Sequence, residues 1–218
     1  MMYLEVLDGD KTLKVSVEFK HRRLVGVKTD LLSKALGRPA KNKQKPFVID
    51  ATAGLCRDSM HLIALGCRVV AIERNEKLFR AFSGLRQPSN FNLIHAEAVT
   101  WLKQLSNQAG SEPDRLRPDI VYLDPMFPEK KKSAAASKET RLLQLLEPPP
   151  TQEDERQLLL AALNVAQFRV IVKRPKHAPW LAGQKPSHSL IGKSVRYDVY
   201  VTTGAAHKGG ETRDLSSS

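Results

Sequence analysis

The sequence is poor in cysteine and in long apolar runs, and each shortage excludes a class of protein. Cys56 and Cys67 are its only cysteines, and they form neither a CxxC pair nor a ligand set with histidine. A disulfide framework and a zinc site are therefore not indicated, and we expect no metal. No apolar run reaches the length of a membrane span, and the first residues lack the basic head and hydrophobic stretch of an export signal. We expect a cytoplasmic protein without a membrane partner.

Negative charge is also scarce. The 23 acidic residues are outnumbered by 35 Lys and Arg, which leaves a formal net charge of +12. This balance favours a polyanionic partner, with nucleic acid first and an anionic membrane surface second. Cations crowd the stretch 20–45, where Asp30 is the only acid. A solvated linker is one interpretation, but interleaved apolar residues favour a structured extension that docks RNA, with Arg22 and Arg23 among its contacts.

The order of apolar patterns predicts the organisation of the chain. YLEVL and TLKVSVEF flank the turn DGD and predict a hairpin, and a short helix follows between an Asp30 cap and Gly37. From Phe47 onwards, short apolar runs alternate with amphipathic helices, which predicts a doubly wound α/β domain with a mostly parallel sheet. We assign residues 1–46 to the hairpin and basic extension, 47–205 to this domain and 206–218 to a disordered tail.

Acidic residues follow successive strands of this domain. The loop D-A-T-A-G-L-C-R-D after the first strand holds Asp50, Gly54 and Asp58, and the second strand ends in Glu73. Ligands of such sheets bind beyond the carboxyl ends of the strands, where Glu73 can accept hydrogen bonds from ribose hydroxyls and Gly54 permits a tight turn. Acids repel a pyrophosphate, so the pattern predicts S-adenosylmethionine as cofactor, with Glu97 near the adenine. Asp50 and Asp58 could instead be only caps and turn formers.

The fourth strand ends in D-P-M-F, which has the form of the D-P-P-[FY] tetrapeptide of enzymes that methylate exocyclic amines of bases. Asp124 and the carbonyl of the turn at Pro125 can both accept hydrogen bonds from an NH2 group and orient its lone pair. Phe127 can stack on the base. Alignment and desolvation then suffice, because a sulfonium is already a reactive methyl donor. A strand-ending turn without chemistry is the alternative interpretation.

Two groups of cations follow the fourth and fifth strands. Lys130, Lys131 and Lys132 come directly after the D-P-M-F turn, and Lys173 and Arg174 lie in the V-K-R-P end of the next strand. We predict that these five side chains contact the phosphate backbone of RNA. Lys173 and Arg174 could equally be solvated loop charges.

Several ordered motifs together resemble one family. D-A-T-A-G-L-x-R-D, E-R-N, L-D-P-M-F-P, V-I-V-K-R-P, R-Y-D-V-Y and the early H-R-R resemble the RsmJ family of bacterial 16S ribosomal RNA guanine-N2 methyltransferases. The resemblance spans about Lys20 to Thr203. It implies a Rossmann-like class I methyltransferase with a seven-stranded sheet. It also implies S-adenosylmethionine as donor, S-adenosylhomocysteine as product, and methylation of a guanine N2 amine, at position 1516 in the family activity.

The resemblance also implies further cofactor contacts. It places them at Arg57, Arg74 and Ala98, in addition to Asp58, Glu73, Glu97 and Asp124. The partner it implies is 16S ribosomal RNA or the small ribosomal subunit. Cys56 departs from the family pattern, which usually has glycine there.

Two other functions remain open at this point. The D-P-M-F tetrapeptide suits any planar NH2 group, so an adenine amine or DNA is an alternative acceptor. A basic RNA-binding or ribosome-assembly module with a vestigial cofactor pocket is the non-enzymatic alternative.

Overall fold

The computed structural model of the protein describes residues 2–19, 30–37, 45–108, 117–127 and 137–202. The strands of this part of the chain are β1 (Met2–Asp8), β2 (Lys11–Val17), β3 (Phe47–Asp50), β4 (Arg68–Glu73), β5 (Phe91–His95), β6 (Ile120–Leu123), β7 (Arg169–Pro175), β8 (His188–Ile191) and β9 (Val195–Val201). The helices are α1 (Leu31–Leu36), α2 (Arg57–Ala64), α3 (Glu76–Ser83), α4 (Ala98–Gln108), α5 (Lys138–Leu146) and α6 (Gln152–Val165). No helix among these residues is both long and apolar enough to cross a membrane.

The main sheet has seven strands in the order β5-β4-β3-β6-β7-β9-β8. Strands β3 to β7 run parallel, β9 is antiparallel to β7, and β8 is antiparallel to β9. The predicted doubly wound, mostly parallel sheet is confirmed. Strand order reverses between β3 and β6, so the crevice at their carboxyl ends is the topological switch point where such sheets bind ligands.

Strand β6 shows why the central strand of the sheet could be predicted from the sequence. All four of its residues are buried. Ile120 and Tyr122 belong to the core on one face of the sheet, and Val121 and Leu123 belong to the core on the other. A continuous apolar run of this kind is typical of a strand covered by helices on both faces.

The predicted hairpin and short helix are also confirmed. Strands β1 and β2 pair antiparallel from Met2 and Val17 to Asp8 and Lys11, and Gly9 turns the chain with a φ of 61°. In α1, the Asp30 side chain accepts a hydrogen bond from the Ser33 amide over 2.9 Å. The inward residues of the hairpin share one apolar cluster with α3 and α5, so the hairpin packs on the main sheet's outer layer.

Two elements were missed by the reading of apolar patterns. Helix α5 follows the lysine-rich segment 130–132 in the sequence and buries only Leu142 fully, so its apolar signal is weak. Strand β8, with the sequence HSLI, is the outer strand of the sheet, and none of its side chains is fully buried. An edge strand needs little apolar character, because one side of its backbone pairs with no neighbour.

The junction between the hairpin and the main sheet is expected to contribute to stability. Phe82 in α3 is 1% exposed, and its ring centroid lies 5.3 Å from that of Phe19. Phe82→Ala should lower the free energy of unfolding by about 3–5 kcal/mol, because it leaves a cavity in a packed core. Phe168→Ala, at a site that is 43% exposed, should cost less than about 1 kcal/mol. Urea unfolding followed by circular dichroism measures both values, and equal losses would contradict this account.

Candidate active site

A cavity of about 360 Å³ opens at the carboxyl ends of the central strands, at the switch point of the sheet. Its volume is in the range of small-molecule sites. Of the predicted cofactor residues, those that line it are Gly54, Glu73, Arg74, Glu97, Ala98 and Asp124. Pro125 and Met126 also line it. Leu143 of α5, Glu147 directly after α5 and Glu155 of α6 complete the wall. That helical wall was not predicted from the sequence.

Glu73 ties together the loops that follow β3 and β4. Its two carboxylate oxygens accept hydrogen bonds from the amides of Gly54 and Asn75, each over 2.7 Å. Burial raises the pKa of Glu73, although these hydrogen bonds oppose the shift. Each oxygen keeps a second lone pair, so Glu73 can still accept a hydrogen bond from a ligand hydroxyl.

Cys56, which stands where the family usually has glycine, adopts a backbone conformation that favours glycine. Cys56 has a φ of 54°, in the left-handed region, and its side chain is 1% exposed. This conformation costs a residue with a Cβ about 1–2 kcal/mol. Glycine adopts it freely, which is a physical reason for the glycine that the family usually has there.

Asp50 lies beneath the cavity and does not line it. The side chain is almost fully buried, and its oxygens accept hydrogen bonds from the Thr52 amide and the Ser59 hydroxyl. Burial raises the pKa of Asp50 to about 7, helped by the nearby charge of Asp58 and opposed by the hydrogen bonds and Lys173. Asp50 therefore shapes the loop above it and is not placed to touch a ligand in the cavity.

One ammonium group joins two of the predicted acids. The Lys173 Nζ lies 2.7 Å from Asp58 Oδ2 and 2.9 Å from Asp124 Oδ2. The Tyr122 hydroxyl donates a further hydrogen bond to Asp58 over 2.8 Å. Burial disfavours the charged form of Lys173, but the two carboxylates outweigh it and raise the pKa of Lys173. Burial also disfavours the charged form of Asp58, but Lys173 and Tyr122 hold the pKa of Asp58 below its ordinary value. Lys173, predicted as an RNA contact, is thus engaged inside the site.

Asp124 is held at the end of β6 from two directions. Its amide donates a hydrogen bond to the Thr52 hydroxyl over 2.6 Å, and its carboxylate meets Lys173. Desolvation by the surrounding protein and the charge of Asp58 raise its pKa, and Lys173 opposes the shift. Solvent still reaches 36% of the side chain, which moderates the effect. The sequence reasoning missed Thr52 and Tyr122, although both lie in motifs it singled out.

Arg174 supports Phe127 and does not present its charge to solvent. Its guanidinium lies 4.7 Å from the centroid of the Phe127 ring and 3.0 Å from Glu155 in the cavity wall. The residue is 1% exposed. In this structure Arg174 cannot meet a phosphate, so the predicted contact is corrected to a cation–π support of Phe127.

The remaining predicted residues lie apart from the cavity or outside the described chain. Arg57 pairs with Glu139 of α5 at the surface and does not line the cavity, whereas Arg74 in the lining pairs with Glu147 over 3.0 Å. The predicted RNA contacts that lie outside the described residues are Arg22, Arg23, Lys130, Lys131 and Lys132. Within the described residues, no group of three or more His, Cys, Asp or Glu side chains is arranged to hold a metal ion.

The lining suits a positively charged nucleoside. Glu73, Glu97 and Asp124 provide acceptor oxygens and negative charge, while Ile72 and Val99 provide apolar surface. S-adenosylmethionine fits this set, and Glu73 and Glu97 would hold it. When bound, it supplies a methyl group made electrophilic by a sulfonium.

The sheet order and the acid-lined cavity at the switch point define a class I S-adenosylmethionine-dependent methyltransferase. A family model described as putative SAM-dependent methyltransferase matches residues 2–202. The chain belongs to the family of ribosomal RNA small subunit methyltransferase J. It is 42% identical to the protein of that name from Pseudoalteromonas atlantica, over 91% of this chain and 81% of the relative. It is 37% identical to that from Thioalkalivibrio sulfidiphilus, over 86% of this chain and 76% of the relative.

A solved structure agrees with this assignment. The chain is similar to a SAM-dependent methyltransferase from Neisseria gonorrhoeae, with 33% identity and a TM-score of 0.65. The match covers 92% of this chain and 80% of the other. The predicted family, fold and cofactor are therefore confirmed, while the roles of individual site residues remain predictions.

The buried charge of Asp50 should make stability depend on pH. Its pKa is raised from 3.8 to about 7 in the folded state, so the wild type should lose stability as pH rises from about 4 to 7 and then level off. Asp50→Asn cannot ionise, so its stability relative to the wild type should increase across that window. Urea unfolding at pH 4.5, 6, 7 and 8 measures the difference. A difference that is independent of pH would contradict the assigned shift.

Proposed function

We propose that the protein transfers a methyl group from S-adenosylmethionine to the N2 amine of a guanine in 16S ribosomal RNA. The observation that carries the proposal is Asp124, held by Thr52 and Lys173 at the mouth of the cavity beside Pro125 and Phe127. The names of the relatives, ribosomal RNA small subunit methyltransferase J, support ribosomal RNA as the acceptor. A cytoplasmic location is part of the proposal.

The proposed roles follow from the chemistry of an exocyclic amine. The Asp124 carboxylate and the Pro125 carbonyl accept hydrogen bonds from the two N–H groups and direct the nitrogen lone pair toward the cavity. Phe127, backed by Arg174, stacks on the base. One N–H proton must leave once the amine carries a methyl group. Asp124 is suited to take it, because its pKa lies above the ordinary value for Asp.

Binding of the RNA is assigned to the basic segments. We propose that residues 1–46 dock the RNA through Arg22 and Arg23 and that the lysines of residues 130–132 meet its backbone near the target base. The substrate is then the free RNA or the assembled small subunit.

Transfer to a defined nucleoside tests the function. The protein is incubated with methyl-labelled S-adenosylmethionine and small-subunit RNA or particles from cells that lack the modification, and the RNA is digested to nucleosides. Label is expected in N2-methylguanosine. Asp124→Asn should reduce the rate by about 100-fold or more, because the amide is a poorer acceptor for the amine proton. Glu76→Gln, at an exposed position of α3, is the matched control.

The other outcomes separate the alternatives. Label in N6-methyladenosine, or in DNA, would replace guanine as the acceptor. Absence of label in any nucleoside, together with failure to bind S-adenosylhomocysteine in calorimetry, would favour the non-catalytic RNA-binding module. Full activity of Asp124→Asn would remove Asp124 from the mechanism.

The Lys173 ammonium should set the pH range of transfer. Lys173→Met removes the nearest positive charge from Asp124, so the pKa of Asp124 should rise and the acidic fall in rate should move to higher pH by about one unit or more. Lys173→Arg keeps the charge and should move less. The rate measured from pH 5.5 to 9 provides the test, with Lys103→Met on the surface of α4 as control. Superimposable pH profiles for Lys173→Met and wild type would contradict the assigned role.

A further inference from the structure

A long stretch of the sequence near the last strands of the sheet contains no acidic residue. No Asp or Glu occurs between Glu155 and Asp198, a stretch that lies wholly within the described residues 137–202. Four of its cations have acidic partners: Arg156 with Glu153, Lys173 at the site, Arg174 with Glu155, and Arg196 with Asp198. Lys176 and Lys193 have no ion-pair partner among the described residues, and Lys193 is exposed. Positive charge at these two positions is therefore left for an external partner.

The topology brings these two lysines to one edge. Lys176 directly follows β7, and its backbone N–H donates a hydrogen bond to the Ser194 carbonyl over 2.9 Å. Ser194 is the neighbour of Lys193 in the turn between β8 and β9. Lys176 lies three residues beyond Lys173, a rise of about 10 Å along an extended chain. Both lysines thus lie past the carboxyl end of the strand that carries Lys173 into the active site.

A large exposed aromatic side chain lies on the same connection. Trp180 is 40% exposed, and His177 between it and Lys176 is also exposed. The carbonyl of Pro179, the residue before Trp180, accepts a hydrogen bond from Arg174 Nε over 3.4 Å. The Arg174 guanidinium in turn packs on Phe127. Arg174 therefore connects the backbone next to Trp180 to Phe127, the ring proposed to hold the target base.

The carboxyl edge of the sheet is divided by charge. The acid-lined cavity lies over the carboxyl ends of β3, β4 and β5, and Lys176 and Lys193 lie past the carboxyl ends of β7 and β8, where the antiparallel β9 begins. Asp124, on β6, stands between the two halves. A polyanion is repelled from the first half and attracted to the second, so the second half suits the approach of RNA better than the first.

We propose that Lys176, His177, Trp180 and Lys193 form an RNA-binding surface, the β7–β9 surface, that holds the nucleotides flanking the target base. The lysines meet phosphates, and Trp180 stacks on a neighbouring unpaired base, a contact that every base can make. This inference rests on the proposed function for the nature of the RNA. It assigns RNA binding to residues other than Lys173 and Arg174, because these two side chains form ion pairs with Asp124 and Glu155.

Salt-dependent binding measures the contribution of the lysines. Lys176→Gln/Lys193→Gln is compared with wild type by fluorescence anisotropy on a labelled small-subunit RNA fragment that contains the modified guanine, over a series of salt concentrations. Loss of two phosphate contacts should weaken binding by about tenfold near 0.1 M salt and make the slope of log affinity against log salt shallower by about 1.4 to 1.8. Trp180→Ala should weaken binding by about fivefold or more without a change of slope.

A charge-matched control separates this surface from net charge. Lys77→Gln/Lys103→Gln removes two exposed lysines of α3 and α4, on the other half of the molecule. It should retain the affinity and the salt slope of the wild type. All variants should bind S-adenosylhomocysteine like the wild type in calorimetry, which shows that the cavity is intact.

The outcomes are distinct for this surface and for the proposed function. An unchanged affinity and slope in Lys176→Gln/Lys193→Gln, or an equal loss in the control variant, would overturn the β7–β9 surface even if guanosine is methylated. If Lys176→Gln/Lys193→Gln binds RNA more weakly as expected but the wild-type protein methylates no guanosine, the β7–β9 surface is supported and the proposed function is overturned.

Discussion

The candidate site depends on a single ammonium placed among desolvated carboxylates. Asp58 and Asp124 approach the same Lys173 Nζ within 2.9 Å, while Asp50 lies buried below them. Without that charge, the carboxylates at this edge would repel one another in a poorly hydrated environment and would take up protons. With it, Asp124 stays ionisable and oriented at the end of β6. The hydrogen bond that Tyr122 donates to Asp58 offsets part of the cost of burying these groups, and the hydrogen bond from the Asp124 amide to the Thr52 hydroxyl fixes the position of Asp124.

The sheet order explains why so much chemistry meets at one edge. Reversal of strand order between β3 and β6 opens the crevice in which the cavity forms, and parallel strands bring their terminal residues to the same side. Two cations at this edge contact other side chains of the site. Lys173 forms an ion pair with Asp124, and Arg174 contacts both the Phe127 ring and Glu155 in the cavity wall. The cofactor side and the base side of the site are thus connected through packed, charged side chains.

Sequence reasoning found the acids because their positions follow from local pattern. Asp50, Glu73 and Asp124 each end an apolar run, and the ends of parallel strands must share an edge. The same reasoning placed Lys173 and Arg174 at that edge correctly but gave them the wrong environment. A strand pattern shows which residues alternate between faces, but it does not show which distant carboxylate a flexible side chain will meet. Asp58 is 115 residues from Lys173 in the chain.

The amino-acid sequence by itself determined the order of most strands and helices, the caps at Asp30 and Gly37, the parallel sheet and the family. These follow from periodicity and from backbone preferences that act over a few residues. Only the tertiary structure decided that the lysine of V-K-R-P belongs to the site, that α5 and α6 wall the cavity, and that the unpaired lysines gather beyond β7 and β9. These features arise from contacts between segments far apart in the chain, whose partners are chosen by packing and by the need to neutralise buried charge.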